Sequence, residues 1–361
     1  MNTGATTHSG LNSKVTGTGK QRPAALKKSK HASQDKRKAD ATGPLYATRP
    51  DVLEAADQMA QRLGLEPQWV RHAIGQSHYM AGIARAIAPP PVGTVKNWTV
   101  YRSRFIDAVR IRAGVKFWQD NREVLERAEQ HTGVPASIIV GIVGVETIYG
   151  QQIGTYRVMD ALTTLSFDFP KQHPRAAERS AFFRSELEAF LSLTQRTGTD
   201  PLALRGSYAG AMGLPQFMPS SWNKYAIDFD GDGRVDLFHS AADVIGSVAN
   251  YFQAFGWKPG MPTHYPVRLT SEGADKATLL APDILPSFTP ADMVAKGGEL
   301  DGAALQHTGP LALVELQNGE AAPLYLAGTG NFYAITRYNW SSYYALAVIE
   351  LGQAVAVAMS K

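Results

Sequence analysis

The sequence predicts a mainly α protein of the α+β class, a large helical body with a small β-containing insertion. Three observations predict it. Apolar residues recur at helical spacing through most of the 361 residues. Strand-like alternation is confined to about 260–330, among prolines and glycines. Hydrophobic residues make up 44% of the chain, enough for one large core or two smaller ones.

The first stretch stands apart. Residues 1–43 carry nine Lys or Arg against two Asp, an excess of +7 that leaves the rest of the +4 chain at −3. With few large apolar side chains, a disordered basic tail is expected over 1–46. Because the basicity belongs to the tail, the folded part offers no case for nucleic-acid binding. No apolar segment with a cleavage site follows Met1 and no Cys is present, so neither a secretory signal nor a lipid-anchoring Cys is expected. No apolar run is read as long enough to span a membrane.

From Asp51 to about Arg85 the spacing is helical, until Pro89, Pro90 and Pro91 interrupt it. Helical spacing resumes at "NWTVYRSRFIDAVRIRAGVKFWQDNREVLERAEQHTG" and stops at Gly133 and Pro135. An apolar helix is expected from near Ser137 to around Gly150. Asp160 stands before "ALTTL" as a predicted N-cap. "RSAFFRSELEAFLSLTQRTG" is an amphipathic helix ending at Gly198, whereas Gly206, Gly210, Gly213, Pro215 and Pro219 keep the next stretch irregular. "HSAADVIGSVANYFQAFGW" starts a helix at Ser240 and ends it before Gly256. "HYPVRLT", "GPLALVELQ" and "PLYLAG" alternate as strands do, and "NWSSYYALAVIELGQAVAVAM" closes the chain as a helix.

Two strings carry chemistry. In "GIVGVETIYG" the carboxylate of Glu146 follows Ile138, Ile139, Val140, Ile142, Val143 and Val145. The carbonyl end of a helix disfavours an anion, and apolar surroundings favour the neutral acid. Both raise the pKa toward the range useful to a general acid. On the segment alone, a last-turn Glu facing solvent or pairing with a distant Arg is the favoured reading. In "DFDGDGRVD", Asp228, Asp230 and Asp232 alternate before Gly233, as ligands 1, 3 and 5 do in an EF-hand loop, with the Arg234 carbonyl as the seventh position. Position 12 is His239 in place of Glu, leaving Asp236 or Asp243 to complete a Ca²⁺ site. Asp243 also lies three residues after Ser240, the spacing of a capping box that would occupy its carboxylate. HExxH, phosphate-loop, GxSxG and clustered Cys/His patterns are absent, which removes zinc, nucleotide and serine-hydrolase chemistries from the field.

Taken in order, "IIVGIVGVETIYG", "RVMDALTTLSFDFP", "SYAGAMGLPQFMPSSW", "DFDGDG", "DVIGSVANYF" and "RYNWSSYYALAV" resemble the bacterial lytic murein transglycosylase B family. The resemblance implies a lysozyme-like catalytic core, peptidoglycan glycan strands as partner and substrate, and a periplasmic or cell-envelope location. It implies Glu146 as acid and then base, cleaving between N-acetylmuramic acid and N-acetylglucosamine and leaving 1,6-anhydromuramic ends. No cofactor is implied for catalysis, and any Ca²⁺ would be structural. Matching the motifs assigns the sugar groove to Tyr101, Ser207, Gln216, Phe217, Tyr251, Tyr338, Asn339 and Tyr344. Tyr rings stack on apolar sugar faces, while Ser207 and Asn339 would hold an N-acetyl group or orient Glu146. Tyr251 shares a helical stripe with Val244, Ile245, Val248 and Phe255, so core packing explains it equally well. The expected organisation is a tail over 1–46, a helical region over 47–130, the catalytic core with its EF-hand-like loop over 131–258, a small β-containing region over 259–330, and a helical segment over 331–361 completing the groove. A hydrolytic muramidase and an inactive glycan-binding protein are the alternative readings.

Overall fold

The computed structural model describes residues 43–361, apart from 89–92, 94 and 271–272. Most of the expected tail therefore lies outside the described residues. Its last four positions are held in place: the Gly43 N–H donates to the Tyr79 carbonyl at 2.9 Å, and Leu45 bridges to His78. Tyr46 is buried and donates its hydroxyl to Asp168 at 2.6 Å. The folded chain thus starts before residue 47.

The first helical stretch is broken into α1 (Pro50–Leu63), α2 (Pro67–Gly75) and α3 (Ala81–Ala86). Gly64 ends α1 in the left-handed region and Pro67 starts α2, the usual punctuation of two helices. The next stretch forms α4 (Trp98–Arg102), α5 (Ala108–Asp120) and α6 (Arg122–Thr132), which stops at Gly133 with φ 70°. Then come α7 (Ala136–Thr147), α8 (Val158–Phe167), α9 (Ala176–Thr197), α10 (Pro219–Tyr225) and α11 (Ala241–Ala254). Ser240 caps α11 by accepting the Asp243 N–H at 3.2 Å. Asp160 does not cap α8: Arg157 holds that position, and Asp160 sits inside the first turn. There it accepts the His78 N–H at 2.9 Å and pairs with Arg157 at 3.1 Å, tying α8 to the segment after α2.

The 259–330 region contains strands and short helices. β1 (His264–Pro266), β5 (Ala321–Gly328) and β4 (Ala312–Asn318) form an antiparallel sheet in the order β1–β5–β4. β2 (Arg268–Leu269) pairs with β3 (Gly298–Glu299). Helices α12 (Lys276–Leu280), α13 (Pro290–Ala295) and α14 (Gly302–Leu305) were not legible among its prolines and glycines. Val267, Leu279, Met293, Leu311 and Leu313 give this region its own small core. Several links fasten it to the helical body. Asn97 bridges to Asn318, the Thr99 N–H donates to the Asn318 side chain at 3.0 Å, and the Tyr343 hydroxyl donates to the Gln317 carbonyl at 3.0 Å.

The chain closes with α15 (Gly330–Thr336) and α16 (Ser342–Met359). By length and composition α16 could cross a membrane, contrary to the sequence expectation, and 56% of it is buried inside the protein. It packs on α7, a helix apolar on every side and therefore central. Glycines set the approach of these two helices. A Cβ on Gly141 would lie 2.3 Å from the Val348 carbonyl oxygen, and one on Gly352 would lie 2.0 Å from that of Ser137. Backbone atoms cannot yield cheaply at such distances, so this crossing requires Gly. Gly141→Ala is expected to destabilise the protein by about 2 kcal/mol through overpacking. A lowered urea midpoint would show it, and an unchanged midpoint would mean that the helices have room to spare.

Candidate active site

α7 ends abruptly. Ile148 and Tyr149 adopt φ values of 51° and 54°, so the helix stops at Thr147 instead of running on to about residue 150. A β-branched residue with positive φ is strained, and such strain persists only where its surroundings enforce it. Here the Ile148 N–H donates to the Gly144 carbonyl at 3.2 Å and the Tyr149 N–H to that of Val143 at 3.3 Å. The buried Thr147 hydroxyl donates to the Leu214 carbonyl at 2.9 Å and accepts the Gly150 N–H at 3.0 Å. The end of α7 is thereby locked to the irregular 207–217 loop, and Glu146 is held in the last turn.

Glu146 keeps a partly exposed edge, yet protein atoms crowd its carboxyl group. Burial pushes its pKa up to about 7, and the Tyr344 hydroxyl, donating to Oε1 at 2.5 Å, opposes part of that rise. No neighbouring charge among the described residues contributes. Tyr338 stacks on Tyr344 with ring centroids 6.4 Å apart and planes 15° apart. Burial and then the Glu146 charge raise the hydroxyl pKa values of Tyr101, Tyr338 and Tyr344. These three Tyr residues, brought from α4, the segment after α15 and α16, surround one carboxyl group.

The other expected groove residues divide. Tyr251 and Phe217 are 5% and 2% exposed. Tyr251 lies 4.9 Å from Tyr338 and Phe217 lies 5.8 Å from it, centroid to centroid, so both back the Tyr wall as core residues. The Tyr251 hydroxyl is spent on the Arg337 carbonyl at 2.7 Å, and that of Tyr338 on the Pro215 carbonyl at 2.5 Å. Gln216, at φ 52°, donates its amide to the Gly213 and Ile153 carbonyls at 2.9 and 3.3 Å. Its polarity therefore builds the loop. Ser207 accepts the Ala209 and Ala211 N–H groups at 3.3 and 3.0 Å and makes no bond to Glu146. Asn339 is exposed, and its side chain has no hydrogen bond among the described residues. The sequence reading missed Thr147, although it stands next to Glu146 inside the quoted string. It also missed that Gly141 and Gly144, one turn apart, mark the face pressed against neighbouring helices.

In the acidic loop, carboxylate oxygens of Asp228, Asp230 and Asp232 lie within 4.8 Å of one another. Gly233 has φ 92°, as a sharp turn at that position requires. This donor set of hard oxygens fits Ca²⁺. Asp236 and Asp243 do not join the cluster. Asp243 is 1% exposed and accepts the Phe229 and Asp236 N–H groups at 2.8 and 2.7 Å, clamping both ends of the loop onto α11. Its carboxylate is thus occupied, but not by the reciprocal capping box its spacing suggested. Asp236 accepts the Phe238 and His239 N–H groups, each at 2.9 Å. Arg234 turns its guanidinium to Asp232 at 3.1 Å.

The chain is similar in sequence and fold to known proteins. The Transglycosylase SLT domain profile matches residues 48–353. Membrane-bound lytic murein transglycosylase B of Escherichia coli K12 is 39% identical over 327 residues, 87% of this chain and 84% of that protein. The E. coli lytic transglycosylase Slt35 in complex with calcium superposes with a TM-score of 0.74 at 37% identity, covering 90% of this chain and 98% of that one. SltB3 of Pseudomonas aeruginosa, in complex with NAG-NAM-pentapeptide, gives 0.69 at 28% identity over 85% and 79%.

The buried carboxyl makes a thermodynamic prediction. Its folded pKa of about 7 exceeds the ordinary 4.5, so the stability carried by its proton is complete below 4.5 and lost as pH rises through 7. Gln carries no such penalty. Discounted for partial exposure, Glu146→Gln should be more stable than the parent by about 2 kcal/mol near pH 8, and the gap should close by about pH 4. Thermal unfolding across that range measures it; a gap independent of pH would contradict the raised pKa.

Proposed function

Because the chain belongs to the transglycosylase SLT domain family and is a peptidoglycan lytic transglycosylase, we propose that Glu146 supplies both its acid and its base. The observation that carries this reading is the solitary, Tyr344-bonded carboxyl group with a pKa of about 7. Near neutral pH such a group is present in both protonation states. Protonated, it donates to the glycosidic oxygen as the bond from muramic C1 to that oxygen breaks. Ionised, it takes the proton of the muramic C6 hydroxyl as O6 bonds to C1. Glu146 ends as it began, and no water is consumed. The Tyr344 hydroxyl bonds more strongly to the ionised carboxyl, steadying it between the two transfers.

Hydrolysis by the usual route takes a second carboxylate as base or nucleophile. Among the described residues no second carboxylate acts on Glu146, and Asp160 is committed to Arg157 and His78. The proposed product is therefore a 1,6-anhydromuramic end. Tyr101 and Tyr338 are proposed to line the sugar sites, with Asn339 as an exposed polar contact, while the buried Tyr344 holds Glu146 and Phe217 and Tyr251 support the wall from behind. Ser207 and Gln216 are proposed to shape the loop that borders the groove. In this reading the catalytic core is 131–258, and 331–361 completes the groove. SltB3 binds a NAG-NAM-pentapeptide, and we take glycan bearing peptide stems as the substrate of this chain too. That substrate and the membrane-bound relative support a periplasmic, cell-envelope location. The Ca²⁺ seen with Slt35 supports a structural ion held by Asp228, Asp230 and Asp232 with the Arg234 carbonyl.

Glu146→Gln should lower turnover of purified peptidoglycan by about a thousandfold, the scale of lost acid–base catalysis. Mass spectrometry of the parent's products should show ends one water lighter than reducing sugars; fully hydrated ends would replace this mechanism by hydrolysis. Ca²⁺ added to chelator-treated protein at a hundred times its Kd should stabilise it by about 3 kcal/mol. Calorimetry without any shift at millimolar Ca²⁺ would reduce the acidic loop to a turn.

A further inference from the structure

Tyr149 takes no part in the proton transfers proposed for Glu146, yet it stands three residues past that acid with φ 54°. Its hydroxyl is buried and has no hydrogen-bond partner among the described residues. A buried polar atom without a partner is costly, so something other than bonding keeps it there.

Two glycines make room for it. A Cβ on Gly114 of α5 would lie 2.4 Å from the Tyr149 hydroxyl oxygen, and one on Gly144 of α7 would lie equally close. The oxygen thus fills a notch that both helices leave open. Val355 and Leu351 of α16 border the same notch, 2.6 Å from the Gly114 Cβ position and 2.8 Å from that of Gly144. Phe117 packs on the Tyr149 ring with centroids 5.2 Å apart. The ring is therefore wedged where α5, α7 and α16 meet.

To reach that notch the chain has to double back. Continued as a right-handed helix, α7 would carry residue 149 about 7.5 Å further along the axis than residue 144, at 1.5 Å per residue. The left-handed turn at Ile148 and Tyr149 brings the ring back against Gly144 instead. Such backbone is unfavourable for a β-branched and an aromatic residue, so it persists only where it is anchored. The turn also delivers the Gly150 N–H to the Thr147 hydroxyl, fixing the residue next to Glu146.

We propose that Tyr149 is a positioning residue: its ring, seated between Gly114 and Gly144, holds the left-handed turn that ends α7 and so keeps the Glu146 carboxyl on the Tyr344 hydroxyl. This rests on the reading of Glu146 as the acid. The Tyr149 hydroxyl acts by filling space. Titratable groups facing Glu146 are Tyr344, Tyr338 and Tyr101, whose hydroxyl pKa values are all raised, which leaves Glu146 to titrate near neutrality. The charge facing Tyr149 is Arg110, itself paired with Asp107, and burial keeps the Tyr149 hydroxyl protonated.

The test is the pH profile of kcat/KM on purified peptidoglycan, measured on the full chain. Parent activity should fall as pH rises through about 7, where free Glu146 loses its proton. In Tyr149→Ala the carboxyl is released toward water, so this limb should move down by about one pH unit toward the ordinary 4.5. At pH 7 that shift lowers kcat about tenfold, with KM changed less than twofold. Tyr149→Phe, which keeps the ring, should restore the parent limb. General loosening of the fold lowers the rate at every pH and leaves the limb in place. An unmoved limb in Tyr149→Ala, or an equal shift in Tyr149→Phe, would overturn the proposal. Should Tyr149→Ala fail to fold, Gly114→Ala presses on the same ring from α5 and should shift the limb in the same direction; a fixed limb there counts equally against it. A parent without a limb near 7 would instead overturn the reading of Glu146.

Discussion

Everything at the site depends on how closely α16 lies against α7. The crossing is set by Gly141 and Gly352, where even a methyl group would meet backbone carbonyl oxygen. Only at that separation can Tyr344, in the first turn of α16, place its hydroxyl on the Glu146 carboxyl. Helix packing here acts as a positioning device. A long apolar helix that could otherwise span a membrane is used to carry one phenol to one acid.

The same packing imposes a cost. Burying Glu146 raises its pKa to about 7, so above that pH the protein carries an anion in apolar surroundings. The positive φ of Ile148 adds local strain beside it. Both are held by a polar frame: Thr147 bonds to Leu214, Tyr338 to Pro215, and Gln216 to Gly213. Each of these bonds joins the helical body to the 207–217 loop or closes that loop on itself. The frame explains why so many polar residues sit near the acid without touching it.

Much of the fold was legible because local chemistry decides it. Gly133 and Gly198 end helices in the left-handed region, and Ser240 starts one, as their residue types demand. Errors arose where distant contacts prevail over local signals. Asp160 has the composition of a cap but is drawn into the helix by His78 and Arg157. Gly43 to Tyr46 look like tail, yet they are fixed by Tyr79, His78 and Asp168. Asp243 has capping spacing, while its carboxylate serves Phe229 and Asp236. Ser207 and Gln216, expected in the sugar groove, spend hydrogen bonds on closing the loop, which their residue types alone did not reveal.

The sequence by itself determined the helical class, the place of the β-containing insertion, the three alternating Asp residues, and Glu146 as the carboxyl with most reason to stay protonated. These follow from periodicity, residue type and short spacing, which act within one turn or one loop. Only the tertiary structure decided that Tyr344 holds Glu146 and that no second charge among the described residues acts on it. Those facts join residues nearly two hundred positions apart, and desolvation and hydrogen bonding depend on distances that no local pattern encodes.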